Sequence, residues 1–288
     1  MSRRKLLVTG ASGLIAGQIL PTLRDRYYLT LTDIRNTNRR GEVVPDIQIA
    51  DLTDVNRDVF RHLFTGVDVV VHCAFIRSKA DAHFRAEFDN VGMAYNVYQT
   101  AVEEGVQRVV VASSNHAANY YESLILDGTM DSVDPDQRAL SKSYYGWAKE
   151  AYEHLGFVFA VGKMENRPLE NIQIRIGGPR ETDIINRCEL GDLRSMRRAL
   201  AVYISKRDLQ QLFIKSIETP DICNERGVPF QIFYGISGNH HAYWSIANAR
   251  KVVGYEPEDN SEVRFADWIQ KHIAAAQTKG KKDNEIHS

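Results

Sequence analysis

One stretch near the start of the chain, Lys5-Leu-Leu-Val-Thr-Gly-Ala-Ser-Gly-Leu-Ile-Ala-Gly17, leaves few folds open. Lys5 to Thr9 reads as a short buried strand and Gly10 to Gly13 as a tight turn. From Leu14 a helix is predicted, with apolar residues recurring at Leu14, Ile15, Ile19, Leu20 and Leu23. Gly10 permits a turn that a side chain would block, Gly13 lets the backbone come close to a bound group, and small Ala16 lets helix and strand pack tightly. Free N–H groups at a helix start attract anions, so Gly10, Ser12, Gly13, Leu14 and Ile15 together read as a phosphate cradle. Pro21 falls inside this helix and should kink it or loosen its last turn.

A glycine turn alone is weak, because many connections carry two glycines. The discriminating residue is an acid about 20 positions on, and Asp33 ends the next apolar stretch, Tyr28-Leu-Thr-Leu-Thr-Asp33. A carboxylate there can accept both hydroxyls of an adenosine ribose; the plain alternative is a solvated Asp at a strand end. It would repel a 2′-phosphate, which favours NAD over NADP, while the guanidinium of Arg35 keeps the second open.

The chain has 288 residues, enough for one large domain or somewhat more, and a formal charge of −1. That charge gives no footprint for nucleic acid or an anionic membrane, so a small-molecule partner is expected. Cys73, Cys188 and Cys223 are odd in number, far apart and not in metal-ligand pairs. They suggest a reducing compartment rather than a disulfide framework, and no metal site. Met1 to Lys5 is basic, but the apolar run after it breaks at Gly10, which reads as neither signal peptide nor membrane span. A cytoplasmic protein is expected.

Strand and helix patterns alternate onward, implying a parallel sheet covered on both faces. Strands are expected at Ile47 to Ala50, Val67 to His72 and Arg108 to Ala112, and a helix from Asn56 to Phe64 closed by Gly66. A long helix from about Ala80 to Glu104 should turn Phe84, Phe88, Val91, Tyr95 and Val102 to one side and stop at Gly105.

After the strand at Ala112 comes Ser113-Ser114-Asn115-His116, and later Tyr144-Tyr145-Gly146-Trp147-Ala148-Lys149. Tyr145 and Lys149 are four apart, hence on one helix face, and an ammonium beside a phenol favours the phenolate. Tyr145 is then a usable acid or base, and a serine at a strand's carboxyl end supplies a hydrogen-bond partner where ligands bind in such sheets.

In these features the chain resembles the extended short-chain dehydrogenase/reductase family of NAD-dependent epimerases, dehydratases and aldose dehydrogenases. The resemblance rests on Thr9 to Ala16, Asp33, Asp51-Leu52, His72-Cys73-Ala74, Asn90, Ser113-Ser114 and Tyr145 to Lys149. It implies an α/β, doubly wound (Rossmann) sheet with a small C-terminal substrate-binding lobe. It also implies catalytic Ser114, Tyr145 and Lys149, with Asp51 and Leu52 at the adenine, and Ala74 and Asn90 among the NAD-binding positions. A homodimer or higher homo-oligomer through the long helices is the family-like expectation.

Within the family the chain is similar to the uronate dehydrogenase group, which oxidises C1 of a hexuronic acid to a lactone. Ser113 to His116, Ile174 to Gly177, Arg198 to Ser205, Tyr234 to Asn239 and Gly254 to Pro257 carry that similarity. It implies that Asn115, His116 and Arg175 contact the sugar and its carboxylate, for which a forked guanidinium is suited. Arg77 stands where that group has a small hydroxyl residue, and would enlarge the positive field of the pocket or fill part of it. The segment Asn119 to Ser143 is longer than a simple connection. A sugar-nucleotide epimerase or reductase is the alternative reading, and a non-catalytic NAD-binding regulator a third.

Residues 1–178 are expected to form the NAD-binding part, 179–276 the substrate lobe and 277–288 a disordered tail. Pro179 to Leu193 reads as a loop, Arg194 to Leu200 as a helix, Val202 to Ile204 as a brief strand and Lys206 to Glu218 as a helix. The run Arg187, Arg194, Arg197, Arg198, Lys206 and Arg207 is either an anion site or a solvated helix face. Trp244 and Tyr255 read as packing residues. So short a C-terminal part suits a free sugar or sugar acid better than a nucleotide sugar.

Overall fold

The computed structural model describes residues 3–77 and 83–286. Seven strands form one sheet: β1 (Lys5–Thr9), β2 (Tyr28–Asp33), β3 (Ile47–Ile49), β4 (Val69–His72), β5 (Arg108–Ser114), β6 (Glu170–Ile176) and β7 (Phe230–Gly235). Their order is β3-β2-β1-β4-β5-β6-β7, and every pairing is parallel. Chain direction across the sheet reverses between β1 and β4, which opens a crevice beyond their carboxyl ends. The expected doubly wound fold is thus present.

The helices are α1 (Leu14–Arg26), α2 (Asp58–Arg61), α3 (His83–Glu103), α4 (Tyr121–Leu126), α5 (Tyr144–Val161), α6 (Glu181–Asn186), α7 (Leu193–Val202), α8 (Lys206–Glu218), α9 (Ala247–Val253), α10 (Ser261–Arg264) and α11 (Ala266–Ile286). One core lies where α1, α8 and α9 cover Leu6, Val8, Val110 and Ile174. The second lies on the opposite face, where α3 and α5 cover Leu7, Val70, Val109 and Val111. A third joins α4, α6 and α7 to Tyr234, Tyr243 and Trp244. Alternate strand residues feed opposite faces, so strands buried on both sides must be apolar throughout. Trp244 and Tyr255 are buried, as their packing role requires.

Several expectations change. Pro21 sits inside α1, which continues unbroken to Arg26. The start of the long helix at Ala80 lies outside the described residues, and α3 runs from His83. The one-sided stripe is present in part and faces outward: Phe84, Phe88 and Tyr95 are 53%, 51% and 45% exposed, while Val102 is buried. The inward face carries Ala86, Asn90, Met93, Ala94, Val97, Tyr98 and Ala101, and Tyr98 packs against Phe159 of α5 with ring centres 5.5 Å apart. The loop expected at Pro179 to Leu193 contains α6, and the strand at Val202 to Ile204 reduces to a single bridge between Gly178 and Tyr203. Helix α11 continues to Ile286 through the stretch expected to be a disordered tail.

The division at residue 178 is also crossed, since β7 completes the sheet and α8 packs beside α1. Phe213 on α8 is fully buried in the same cluster as Leu6 and Val8. Phe213→Ala should therefore cost about 3–5 kcal/mol of global stability, the range for a buried Phe→Ala. Guanidinium unfolding followed by circular dichroism and by tryptophan fluorescence should show one coincident, shifted transition. Two separated transitions would mean that the C-terminal segment folds as its own unit.

Candidate active site

A cleft of about 1760 Å³ opens at the crevice. Its floor is the turn after β1. Gly10 has φ +64°, and a Cβ there would lie 2.5 Å from the Ala74 Cα, so only glycine fits both the conformation and the space. A Cβ on Gly13 would come within 2.9 Å of the Gly10 carbonyl oxygen. Helix α1 has no side chain capping its N-terminus and no acid in its first turn, so its leading N–H groups face the cleft. This is the geometry a diphosphate needs.

Asp33 lies beside that turn at the end of β2. Its Oδ2 accepts from Ser12 N (3.0 Å) and Ser12 Oγ (2.8 Å), and its Oδ1 from Ile34 N (2.7 Å). These bonds fix the carboxylate with lone pairs left for a ribose. Leu14, Ile15, Asp51, Leu52, Ala74 and Arg77 also line the cleft. Thr53 N and Oγ1 donate to Asp51 Oδ1 at 2.9 and 2.7 Å. Asn90 does not line the cleft; its amide bonds Ile76 N (2.8 Å) and Ile76 O (3.1 Å) and holds the loop after β4 in place. Together these residues fit a dinucleotide. Among the described residues no group of three or more His, Cys, Asp or Glu is placed to hold a metal ion.

Ser114, Tyr145 and Lys149 meet on the far wall of the cleft. Ser143 caps α5 by accepting from Gly146 N at 3.2 Å, which starts the helix one residue before Tyr145. A Cβ on Gly146 would lie 2.1 Å from the His116 carbonyl oxygen, so glycine is what lets the start of α5 approach the turn carrying Ser114 to His116. Lys149 is buried and donates to the Ala112 carbonyl at 3.2 Å, with its Nζ 5.3 Å from the Tyr145 ring centre. Among the described ion pairs none involves Lys149, and the Glu87 carboxyl acts on it across the cleft without pairing to it. The Ser114 Oγ accepts from His116 N at 3.2 Å, which leaves its own proton free to donate into the site.

A smaller cavity of about 260 Å³ adjoins the cleft and shares Ser114, Tyr145, Gly177, Pro179 and Arg180 with it. Asn115 and His116 complete one wall, and Asp183, Arg187 and Arg198 the other. Burial holds the His116 pKa below the usual imidazole range, so the ring is neutral. Lys142 N donates to Asn119 Oδ1 (3.0 Å), which turns Asn119 Nδ2 toward His116 Nδ1 (3.4 Å). His116 Nδ1 is then the acceptor, and Nε2 carries the proton as a donor.

Arg175 is not in either space. It is 1% exposed, donates to Glu153 Oε1 (Nε, 3.1 Å) and Oε2 (Nη2, 2.8 Å), and reaches Tyr234 OH (Nη1, 3.0 Å). Burial alone would lower its pKa, but the Glu153 carboxylate outweighs burial and raises it. The expected carboxylate clamp is thus a structural ion pair. The arginines that do line the cavity are Arg180, Arg187 and Arg198. Arg180 and Arg187 share Asp183, and Arg198 forks onto Glu122 at 2.9 and 3.0 Å. The basic run from Arg187 to Arg207 hinted at Arg187 and Arg198. Arg180 had a local signal, since it follows Gly177-Gly178-Pro179 at the end of β6.

This arrangement matches known proteins along most of its length. Residues 6–161 match the model of the NAD dependent epimerase/dehydratase family. An NAD-dependent glucose-6-phosphate dehydrogenase of Haloferax volcanii is 30% identical over 275 residues, covering 89% of this chain and 94% of that protein. A uronate dehydrogenase of Pseudomonas syringae pv. tomato is 28% identical over 263 residues, covering 90% of this chain and 83% of the relative. The fold is shared with the crystal structure of uronate dehydrogenase from Agrobacterium tumefaciens, at a TM-score of 0.72 and 24% identity, over 95% of this chain and 90% of that one. With the glycine turn, Asp33 and the Ser114, Tyr145 and Lys149 wall in one crevice, the chain belongs to the NAD dependent epimerase/dehydratase family.

Proposed function

We propose that the chain is an NAD-dependent dehydrogenase that oxidises C1 of a free sugar acid to a lactone, in the manner of the uronate dehydrogenases it is similar to. The observation that carries this reading is the shared wall: Ser114 and Tyr145 face both the dinucleotide cleft and the small cavity. At about 260 Å³ that cavity is below the roughly 300–1,000 Å³ of pockets for drug-sized ligands, which suits a monosaccharide and disfavours a nucleotide sugar.

Bound NAD supplies the hydride acceptor. Tyr145, with the Lys149 ammonium beside its ring, is the base that removes the proton from the C1 hydroxyl. Ser114 donates to the same oxygen as it becomes a carbonyl, and His116 Nε2 and Asn115 fix the ring hydroxyls. Arg187, at the cavity edge and shared with Asp183, is the guanidinium free to exchange that partner for a substrate carboxylate. Tyr145→Phe should lower kcat by roughly 10²–10⁴-fold with NAD affinity nearly unchanged. Turnover near wild type would sink the scheme, and hydride cycling without net NADH would favour an epimerase.

Arg187→Ala should raise KM for acidic sugars about tenfold or more while neutral aldoses are little affected. Arg175→Ala should act otherwise, destabilising the fold by about 3–5 kcal/mol because Glu153 is left buried and unpaired. Thermal melts and a KM comparison on both sugar classes separate the two arginines; acidic-sugar selectivity lost only in Arg175→Ala would reverse the assignment.

Two features bear on the protein's state. Helix α3 leaves Phe84, Phe88 and Tyr95 exposed on one side, an apolar face that pairs two copies as a homodimer. Sedimentation should give twice the 32.7 kDa chain mass, and Phe88→Glu should reduce it to one. No helix among the described residues is long and apolar enough to cross a membrane, and the three free cysteines suit the reducing cytoplasm as the place of action.

A further inference from the structure

We propose that Arg39, Arg77 and Arg180 form a clasp over the crevice that holds the diphosphate of the bound dinucleotide, with Arg39 as its specificity-determining member. The three come from distant parts of the chain and line the same cleft. Arg77 follows β4 and Arg180 follows β6. Arg39 sits at the tip of an ordered hairpin after β2. There Thr37 bridges Val43, Asn38 N donates to Glu42 O (2.9 Å), and Gly41, at φ +80°, closes the turn onto Asn38 O (3.0 Å). The hairpin fixes where Arg39 reaches.

These cations face one another without enough counter-charge. Arg39 is an exposed residue at the cleft rim, where partial desolvation and then repulsion from Arg77, Arg180 and Arg35 lower its pKa. Among the described residues neither Arg39 nor Arg77 has an ion-pair or hydrogen-bond partner for its guanidinium. Arg180 pairs one nitrogen with Asp183, and its Nε is buried with no partner. The acids in the cleft are committed elsewhere: Asp33 to Ser12 and Ile34, Asp51 to Thr53, Glu87 to Asn90. Arg39 and Arg77 are exposed to water, but the buried Nε of Arg180 has no acceptor, so an anion in the cleft would supply that missing partner and offset the repulsion among the three.

The diphosphate is the anion the placement selects. It belongs over the uncapped start of α1, in the cleft that all three arginines line. A phosphate or carboxylate on the sugar would lie in the smaller cavity, and neither Arg39 nor Arg77 lines that space. An adenosine 2′-phosphate would lie beside Asp33, whose carboxylate repels it.

The proposal rests on the dinucleotide reading, so the test separates the two. Calorimetric titration of the full chain with NAD, ADP-ribose, NADP and adenosine should show Arg39→Ala weakening NAD and ADP-ribose about 10–100-fold, the loss of one charge-assisted contact. Adenosine affinity should be unchanged, Arg39→Lys should restore part of the loss, and the fall of NAD affinity with salt should become shallower. Unchanged NAD affinity in Arg39→Ala overturns the clasp, as does an equal loss for adenosine, which would mark a merely structural hairpin. A loss confined to NADP overturns it in favour of 2′-phosphate recognition. Wild type that binds neither NAD nor ADP-ribose would remove the underlying reading itself.

Discussion

The buried carboxylate of Glu153 is the point on which the site geometry depends. Ser113 on β5 and Arg175 on β6 are register partners, and Arg175 is in turn the partner of Tyr234 on β7. Ser113 Oγ donates to Glu153 Oε1 at 2.6 Å, Arg175 forks onto both carboxylate oxygens, and Tyr234 accepts from Arg175. One helical side chain is thereby tied across three strands. Tyr145, Lys149 and Glu153 recur every four residues on α5, so fixing Glu153 fixes the rotation of the helix and the height of the phenol. A buried pair of this kind contributes little net stability over an apolar replacement, because desolvation offsets the attraction. Its contribution here is registry.

Packing supports the same end by omission of side chains. A Cβ on Gly156 would come within 2.7 Å of Asn171 Oδ1, and one on Gly146 within 2.1 Å of the His116 carbonyl. Both ends of α5 are thus pressed close, one onto β6 and the other onto the turn that carries Ser114. At the other wall Gly177 admits the Val202 carbonyl, from which a Cβ would be 2.1 Å away, and Gly178 N donates to that oxygen at 2.6 Å. This stitches the end of β6 to the end of α7, so Arg198 and Ala199 can border a cavity that begins at Ser114. The lobe is part of the same framework as the sheet, which is why β7 and α8 cross the division drawn at residue 178.

What was legible in the sequence was local. The glycine turn, Asp33, Ser114, Tyr145 and Lys149 each sit at a strand end or a helix repeat, where spacing determines direction. Arg175 was misread because its function depends on which carboxylate lies across from it, and Glu153 is distant in the chain. The α3 stripe was legible as a side but not as an outward one: periodicity identifies two faces, but which face is covered depends on the helix packed against it. Val97 and Tyr98 face inward, Tyr98 against Phe159, while Phe84 stacks on Trp147 with ring centres 5.5 Å apart. An arginine after Gly177-Gly178-Pro179 carried a signal that could have been used, since it must lie at the carboxyl end of a strand.

The arginines of this protein divide by what answers their charge. Arg108 and Arg175 are fully buried and meet Glu170 and Glu153, so their charge is spent inside the fold. Arg198 meets buried Glu122 and joins α7 to α4 while still bordering the cavity. Arg187 shares Asp183 at a largely exposed edge, where solvent screening keeps the pair weak and exchangeable. Arg180 stands between the two spaces, with one nitrogen on Asp183 and another unanswered. Asp183 Oδ2 answers both Arg180 and Arg187, so the cleft and the cavity share one carboxylate, and the attraction that oxygen gives to one guanidinium is divided with the other.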